Sequence, residues 1–246
     1  MKLTRYFFLV LLVFFGCKTE DKLTFESYSF ESDPCDDCPI VSIAMPKVLG
    51  ISKISKTINT ALEEELIFLF SFDEETEVTS IDNAMQSFKN GYLELQQLYN
   101  DESTKWEAKI EGKVTYEDAT FLTIELESYI FTGGAHGYSA TQLLNFDKNK
   151  AIQLSNLELF KDEEKFRAFA EKKFREKEQI PLNKPINHTG FMFEKDTFYL
   201  PENIGFTENG LKLLYNPYEV ASYADGTIEV LLPHSEVKKY LSKTKS

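Results

Sequence analysis

The period of the hydrophobic residues changes along the chain. Loose alternation at Leu23–Phe30 and Ile40–Val48 predicts two early strands. The next two apolar segments repeat at spacings of three and four, which predicts a pair of amphipathic helices, the second with Thr79 or Ser80 as its N-cap. The predicted inner faces are Ile51, Ile54, Ile58, Leu62, Leu66 and Leu69 for the first helix, and Ile81, Met85, Phe88, Tyr92, Leu95 and Tyr99 for the second.

A period of two returns after these helices. It predicts a hairpin of Trp106–Tyr116 and Leu122–Ile130, followed by a strand at Ala140–Phe146. Glu125 and Glu127 fall on the polar side of the second hairpin strand, opposite its apolar residues. We therefore expect both carboxylates to be solvated, as on the open face of an antiparallel sheet.

Beyond residue 150 the predicted elements are shorter and more charged. A helix is predicted at Asp162–Glu178, with Phe166, Phe169, Ala170 and Phe174 on its inner face. Three strands and a closing helix are predicted at Phe198–Leu200, Leu211–Tyr215, Thr227–Leu232 and His234–Leu241. This order of elements predicts an α+β fold, in which antiparallel sheets pack against two N-terminal helices and one central amphipathic helix.

The first residues predict a targeting signal. Lys2 and Arg5 precede the apolar run Tyr6–Phe15, and Gly16-Cys17 follows. The pattern is similar to that of bacterial lipoproteins, so we expect a signal peptide at 1–17 and lipidation of Cys17. A plain secreted protein is the alternative.

The rest of the chain is expected to divide into three parts. Residues 18–38 are predicted to be a tether with a short cysteine loop. Residues 39–149 are predicted to form an N-terminal α+β part, and residues 150–246 a C-terminal α+β part that forms one compact unit with it.

The charge of the chain limits its partners. Removal of the signal takes away two of the 27 basic residues and none of the 40 acidic ones, which lowers the net charge from −13 to −15. Such a surface repels phosphate backbones, so we expect no nucleic acid partner and favour cationic ones. Anchored by lipid, the protein is expected in the bacterial cell envelope, on the outer membrane, facing the periplasm or the cell surface.

The cysteines beyond the signal are Cys35 and Cys38. Pro34 and Pro39 bracket them and disfavour the helix that a thioredoxin site requires. In an oxidising envelope this spacing predicts a local disulfide. A zinc site would need two further ligands, and the three histidines are scattered singly, so we expect no metal and no cofactor.

Two turn-rich segments contain the candidate site residues. The segment Phe131–Ser139 reads FTGGAHGYS; it lacks the lysine of a phosphate loop and leads into a strand. We expect its glycines to supply the backbone geometry of a turn, and the His136 side chain to form a hydrogen bond with the local backbone. Pro217 in the second segment predicts a turn after a strand, and Gly226 another. The predicted structural turn residues are Gly133, Gly134, Gly137, Pro217 and Gly226, and the candidate binding surface is His136, Tyr138, Tyr215, Tyr218 and Tyr223.

Two longer blocks carry a family resemblance. Tyr129–Phe160 and Phe206–Val237, with the glycine-histidine cluster in the first and Asn216-Pro217-Tyr218-Glu219-Val220 in the second, resemble the extracytoplasmic module shared by lysozyme-sensing anti-sigma factors of the RsiV type and peptidoglycan deacetylases of the PdaC type. The deacetylases carry their metal-dependent catalytic domain separately, with an H-x-x-x-H pair. No two histidines of this chain are closer than 46 residues.

The resemblance implies binding rather than catalysis, and we expect no catalytic residue. The leading hypothesis is a lipid-anchored, non-enzymatic envelope module that recognises a cationic protein such as lysozyme, or a peptidoglycan fragment. The first alternative is a cell-wall polysaccharide hydrolase or deacetylase that uses His136. The second is an envelope assembly factor that binds peptides in a groove formed by short strands and tyrosines.

Overall fold

The computed structural model describes residues 22–35, 38–72, 78–99 and 104–242. The predicted signal peptide and Cys17 lie outside these residues. In the described part of the chain, nine strands and four α-helices form an α+β fold: β1 (Phe25–Glu31), β2 (Ile40–Val48), α1 (Lys53–Phe70), α2 (Ile81–Leu98), β3 (Glu107–Glu117), β4 (Phe121–Phe131), β5 (Tyr138–Asp147), β6 (Ile152–Leu154), α3 (Glu163–Lys177), β7 (Asn203–Thr207), β8 (Gly210–Tyr215), β9 (Ile228–Leu232) and α4 (His234–Val237). None of the described helices meets the length and apolarity needed to span a membrane.

The first sheet contains β1 to β6 in sequence order. Its strands are antiparallel except for β2 and β3, which pair in parallel. The expectation of a purely antiparallel sheet is wrong at this pair, because α1 and α2 form a crossover between the two strands that is long enough to return the chain in the same direction. Each of these two helices has a serine N-cap, Ser52 for α1 and Ser80 for α2. The serine side chain accepts a hydrogen bond from the backbone N–H three residues later.

The two N-terminal helices cover one face of this sheet, as predicted. The core between them combines the buried sides of both helices with the apolar sides of β2 to β5, and most of its side chains are fully buried. The predicted inner faces are wrong at Ile51 and Tyr99, which lie outside the helices and are 89% and 58% exposed. Trp106 and Phe88 pack together there with ring centroids 5.2 Å apart. The largest of these buried residues are Ile43, Ile58, Leu62, Leu66, Phe70, Phe88, Tyr92, Ile110 and Phe146.

The second sheet contains β7, β8 and β9, and it packs with α3 around a separate core. The predicted strand at Phe198–Leu200 is wrong: these residues are irregular, and the strand lies at Asn203–Thr207. Proline at 201 restricts the residue before it and cannot donate a ladder hydrogen bond. The correct strand has almost all of its residues buried, so it shows no alternation that a period could reveal.

The second sheet covers the other face of β4 and β5. Glu125 lies at this junction and is 3% exposed, so the expectation that it is solvated is wrong, whereas Glu127 is exposed. Strand β7 approaches closely because residue 205 is glycine: a Cβ there would lie 2.9 Å from Leu143 Cβ and from Thr123 Cγ2. The junction thereby joins the two cores through β4 and β5.

Candidate functional site

The loop between β4 and β5 uses its glycines in two ways. Gly133 and Gly134 have φ of 102° and 86°, in the region that favours glycine. Gly137 differs, since a Cβ at this position would lie 2.5 Å from the ring of Tyr129. The expectation that turn geometry alone requires the glycines is therefore wrong at Gly137, where the requirement is close contact with a neighbouring side chain.

The loop holds His136 in a stacked position. The Nδ1 atom of His136 lies 2.9 Å from the Gly137 carbonyl oxygen, a contact to local backbone of the kind that the sequence predicts. The imidazole stacks on Tyr223 with centroids 4.1 Å apart and planes 15° apart. The Tyr223 hydroxyl donates to the same Gly137 carbonyl, at 3.0 Å. The histidine ring is exposed on one side and supported by a tyrosine on the other.

A tight turn after β8 presents Tyr218. The Asn216 N–H donates to the Glu219 carboxylate at 2.9 Å, and the Glu219 N–H donates to the Asn216 carbonyl at 3.1 Å. Tyr218 has φ of 71° and is 58% exposed. In a turn with proline at its second position, this third position is ordinarily glycine or asparagine. A bulky aromatic residue there is a backbone outlier, of the type that clusters at functional sites.

The two turns meet although about 80 residues separate them. The Tyr138 hydroxyl donates to the Pro217 carbonyl at 3.4 Å. The rings of Tyr218 and Tyr223 lie 5.5 Å apart, and Tyr223 in turn carries His136. We define the aromatic surface as His136, Tyr138, Tyr218 and Tyr223. The structure thus brings together four of the five residues predicted from the sequence.

Tyr215 is not part of this surface. Its side chain is fully buried, and its hydroxyl donates to the Tyr199 carbonyl at 2.6 Å. Burial raises the pKa of Tyr215 far above its ordinary value. The prediction that Tyr215 contributes to binding is therefore wrong, since strand β8 turns this ring into the core. Gly226, at φ 68°, ends the turn that contains Tyr223 and leads into β9.

Carboxylates flank the aromatic surface. Burial raises the pKa of Tyr138, and the charges of Glu219 and Glu202 raise it further. The Glu202 N–H donates to the Glu219 carboxylate at 3.2 Å. Aromatic faces beside carboxylates attract lysine and arginine side chains through both charge and the ring quadrupole. This arrangement therefore suits a cationic ligand.

A cleft of about 370 Å³ borders the same region, and sequence reasoning missed it. Its polar lining converges from α1, β5, β6 and the loops next to β6 and β7, and no spacing in the chain links these residues. We define the polar cleft by the residues Glu65, Gln142, Gln153, Ser155, Asn156 and Glu202. Asn216 also reaches the cleft, and it lies in the second resembling block, whereas Gln142, Gln153, Ser155 and Asn156 lie in the first. Membership of these two blocks was the signal that the sequence offered.

Two asparagines close the edge of β5 beside this cleft. The Thr141 N–H donates to Asn216 Oδ1 at 2.8 Å, and Asn216 Nδ2 donates back to the Thr141 carbonyl at 3.0 Å. The Leu143 N–H donates to Asn203 Oδ1 at 3.1 Å. Side chains from the second half of the chain thus occupy positions that a neighbouring strand would otherwise take.

The predicted disulfide is present. Cys35 and Cys38 are bonded, with their Cα atoms 5.5 Å apart, and Lys105 Nζ donates to the Cys35 carbonyl at 2.6 Å. Within the described residues, no group of three or more histidine, cysteine, aspartate or glutamate side chains is placed to hold a metal ion.

Two family models match separate parts of the chain. Residues 35–139 match the family model described as "Deacetylase PdaC", and residues 158–235 match the model "Protein of unknown function (DUF3298)". Two crystal structures of DUF3298 family proteins are similar in fold. The protein from Bacteroides fragilis has a TM-score of 0.68 and 18% identity, covering 90% of this chain and 94% of that one. The protein from Pseudomonas aeruginosa has a TM-score of 0.65 and 20% identity, covering 91% and 96%. No curated protein matches the chain.

Proposed function

We propose that this chain, in which a PdaC-type segment precedes a DUF3298 segment, is a non-enzymatic binding module of the bacterial cell envelope. The observation that carries the proposal is the aromatic surface. His136 and Tyr138 come from the PdaC-type segment, and Tyr218 and Tyr223 come from the DUF3298 segment. The site exists only where both segments meet, and the strained backbone at Tyr218 serves to expose an aromatic ring there.

A cationic protein fits the aromatic surface better than a peptidoglycan fragment does. Glu219 follows the exposed Tyr218 in the turn, and Glu202 donates its N–H to the Glu219 carboxylate, so both acids add negative charge to this region. The net charge of −15 expected after signal removal adds long-range attraction for a basic partner. The resemblance to lysozyme-sensing modules makes a lysozyme-like protein the first candidate. Lipidation at Cys17 would hold the module on the outer membrane, facing the periplasm or the cell surface.

The contacts of His136 support binding over catalysis. A catalytic histidine needs a nucleophile, a water or a substrate group within hydrogen-bond reach of its ring. Here Nδ1 contacts the Gly137 carbonyl, and the ring stacks on Tyr223. These contacts fit a histidine that contributes to an aromatic surface, and they give the hydrolase or deacetylase alternative no specific support.

The peptide-groove alternative also lacks support at β5. Binding a peptide as an added strand requires free backbone groups along a sheet edge. At Thr141 and Leu143 these groups already bond the side chains of Asn216 and Asn203. A peptide strand would have to displace both asparagines.

The proposal is tested by binding of hen lysozyme to the mature chain on a biosensor. We expect Tyr218→Ser to weaken binding about tenfold or more, because exposed tyrosines next to carboxylates are typical binding hot spots. Tyr99→Ser is the matched control, since Tyr99 at the end of α2 is equally exposed, at 58%, and should leave affinity unchanged.

Two results would count against the proposal. One is a mature chain that fails to retain lysozyme at low salt. The other is turnover of cell-wall polysaccharide that His136→Ala abolishes without changing the melting temperature, which would favour the enzymatic alternative.

A further inference from the structure

The polar cleft has a chemistry distinct from that of the aromatic surface. Side-chain amides and a hydroxyl dominate its lining, together with the carboxylates of Glu65 and Glu202. Among the described residues that line it, none is a lysine, arginine or histidine. Such a lining offers no positive charge to a phosphate or sulfate group and too little apolar area for a lipid chain.

Amides and carboxylates together match a ligand rich in hydroxyl groups. Each amide has both donors and acceptors, and an ionised carboxylate only accepts. A sugar hydroxyl donates one hydrogen bond and accepts others. The amides of Gln142, Gln153 and Asn156 can therefore either accept a hydrogen bond from it or donate one to it. The cleft volume of about 370 Å³ lies within the range of small-molecule sites.

The cleft is held in shape by its surroundings. Gln142 bonds Glu65 across from α1, and burial raises the pKa of that carboxyl. Asn156 Oδ1 accepts from Asn145 Nδ2 at 3.4 Å, which ties the loop after β6 to β5. Side chains fixed in this way lose little entropy when a ligand binds, which favours recognition of a defined shape.

We propose that the polar cleft binds a neutral oligosaccharide. Glu65 and Glu202 accept hydrogen bonds from its hydroxyl groups, and Gln142, Gln153 and Asn156 both donate and accept. This inference rests on the binding role proposed above, but it assigns a second ligand class to a second set of residues. Because Asn216 lines the cleft and also forms the turn that presents Tyr218, the two sites lie side by side.

The test is isothermal titration calorimetry of the mature chain with a tetrasaccharide of N-acetylglucosamine and with cellotetraose. We expect at least one to bind with a Kd of about 1 mM or tighter. Gln142→Leu and Gln153→Leu should each weaken binding about fivefold, the effect of one lost hydrogen bond. Gln153 is exposed, so its replacement should leave the fold intact even if that of Gln142 does not. Gln97→Leu, on the exposed side of α2, is the control and should bind as the wild type does.

The outcomes separate this inference from the proposed function. Retention of saccharide binding by Tyr218→Ser, with loss of lysozyme binding, supports both sites. Saccharide binding without any lysozyme binding supports the cleft alone. Absence of binding to either tetrasaccharide, or equal binding by Gln142→Leu, Gln153→Leu and Gln97→Leu, overturns the cleft proposal and leaves the aromatic surface standing.

Discussion

Tyr218 holds its ring outward at a cost in backbone energy. Its φ of 71° lies in the left-handed region, where a side chain with a Cβ crowds the following carbonyl. The hydrogen bonds between Asn216 and Glu219 fix the turn that imposes this conformation. A turn with asparagine or glycine at 218 would be less strained, so this tyrosine keeps its ring exposed in spite of an unfavourable backbone conformation.

This strain predicts a difference between two substitutions that both remove the ring. Tyr218→Asn should be more stable than Tyr218→Ala by about 1 kcal/mol, because asparagine tolerates left-handed backbone better than alanine does. Both should lose lysozyme binding. Chemical denaturation of the two variants measures the difference, and equal stability would mean that the turn relaxes when the ring is absent.

Glu125 is the buried charge that links the two halves. Its carboxylate lies 2.5 Å from Lys212 Nζ on β8 and 2.8 Å from Lys113 Nζ on β3. Burial alone would raise the pKa of Glu125, but hydrogen bonds from Lys113 and Lys212 and their positive charge outweigh it and hold the pKa below its ordinary value of 4.5. The ionised form therefore stabilises the fold.

The lowered pKa of Glu125 predicts a pH-dependent loss of stability. Glu125→Gln should cost about 2 kcal/mol at neutral pH, because it leaves the partly buried Lys212 without its main partner. Since the folded pKa lies below the unfolded one, the advantage of the wild type is complete above pH 4.5 and disappears as the pH falls through the folded pKa. Glu127→Gln is the matched control: Glu127 pairs with the same Lys113 but is half-exposed, so we expect less than about 1 kcal/mol. Equal losses in both variants would contradict the role of burial.

At the scale of elements, β4 and β5 form a layer between two other layers. The helices α1 and α2 pack on one face, and β7 packs on the other, where Lys212 of β8 also reaches Glu125. Hydrogen bonds cross the second junction from Asn145 Nδ2 to the Ile204 carbonyl at 2.6 Å, and from the Phe206 N–H to Thr123 Oγ1 at 3.2 Å. The position of β7 in turn places Asn203 against the edge of β5, beside the polar cleft.

Close packing at this junction predicts sensitivity at Gly205. Gly205→Ala should cost about 2 kcal/mol, because its Cβ would overlap Leu143 and Thr123. Thr123→Ser removes the methyl group that the new Cβ meets and keeps the hydroxyl that accepts from Phe206. The double variant should therefore recover part of the loss, as measured by urea denaturation of all four forms. Purely additive effects would contradict direct contact at this point.

Elements whose surroundings are simple are the ones that periodicity predicts well. The helix α2 faces a core on one side and solvent on the other, so its period and its start at Ser80 are visible in the sequence. Periodicity does not predict strand β7 or the burial of the polar side of β4, because both strands are covered on both of their faces. The sequence alone therefore places Glu125 on a solvated face, and only the second sheet of the folded chain buries it. Periodicity also does not predict the polar cleft. Its residues come from several elements, and only the tertiary fold brings them together.

At the scale of the whole molecule, the two proposed ligands depend on different forces. Attraction between the acidic module and a basic protein acts over long distances and is screened by salt, with a Debye length of about 10 Å at 0.1 M. A neutral saccharide in the polar cleft carries no net charge, so salt does not screen its attraction to the module in this way. The two kinds of binding should therefore respond differently to ionic strength, although the sites lie side by side.

Salt dependence thus provides a test that needs no substitution. Raising the salt concentration from about 0.05 to about 0.5 M should weaken lysozyme binding about tenfold or more, mainly through slower association. Binding of the tetrasaccharide should change less than about twofold, because no ion pair is broken and no counterion is displaced. If both ligands lost affinity in parallel, a shared charged site would explain the result better than two adjacent sites. If neither did, the acidic charge of the module would have no part in recognising its protein partner.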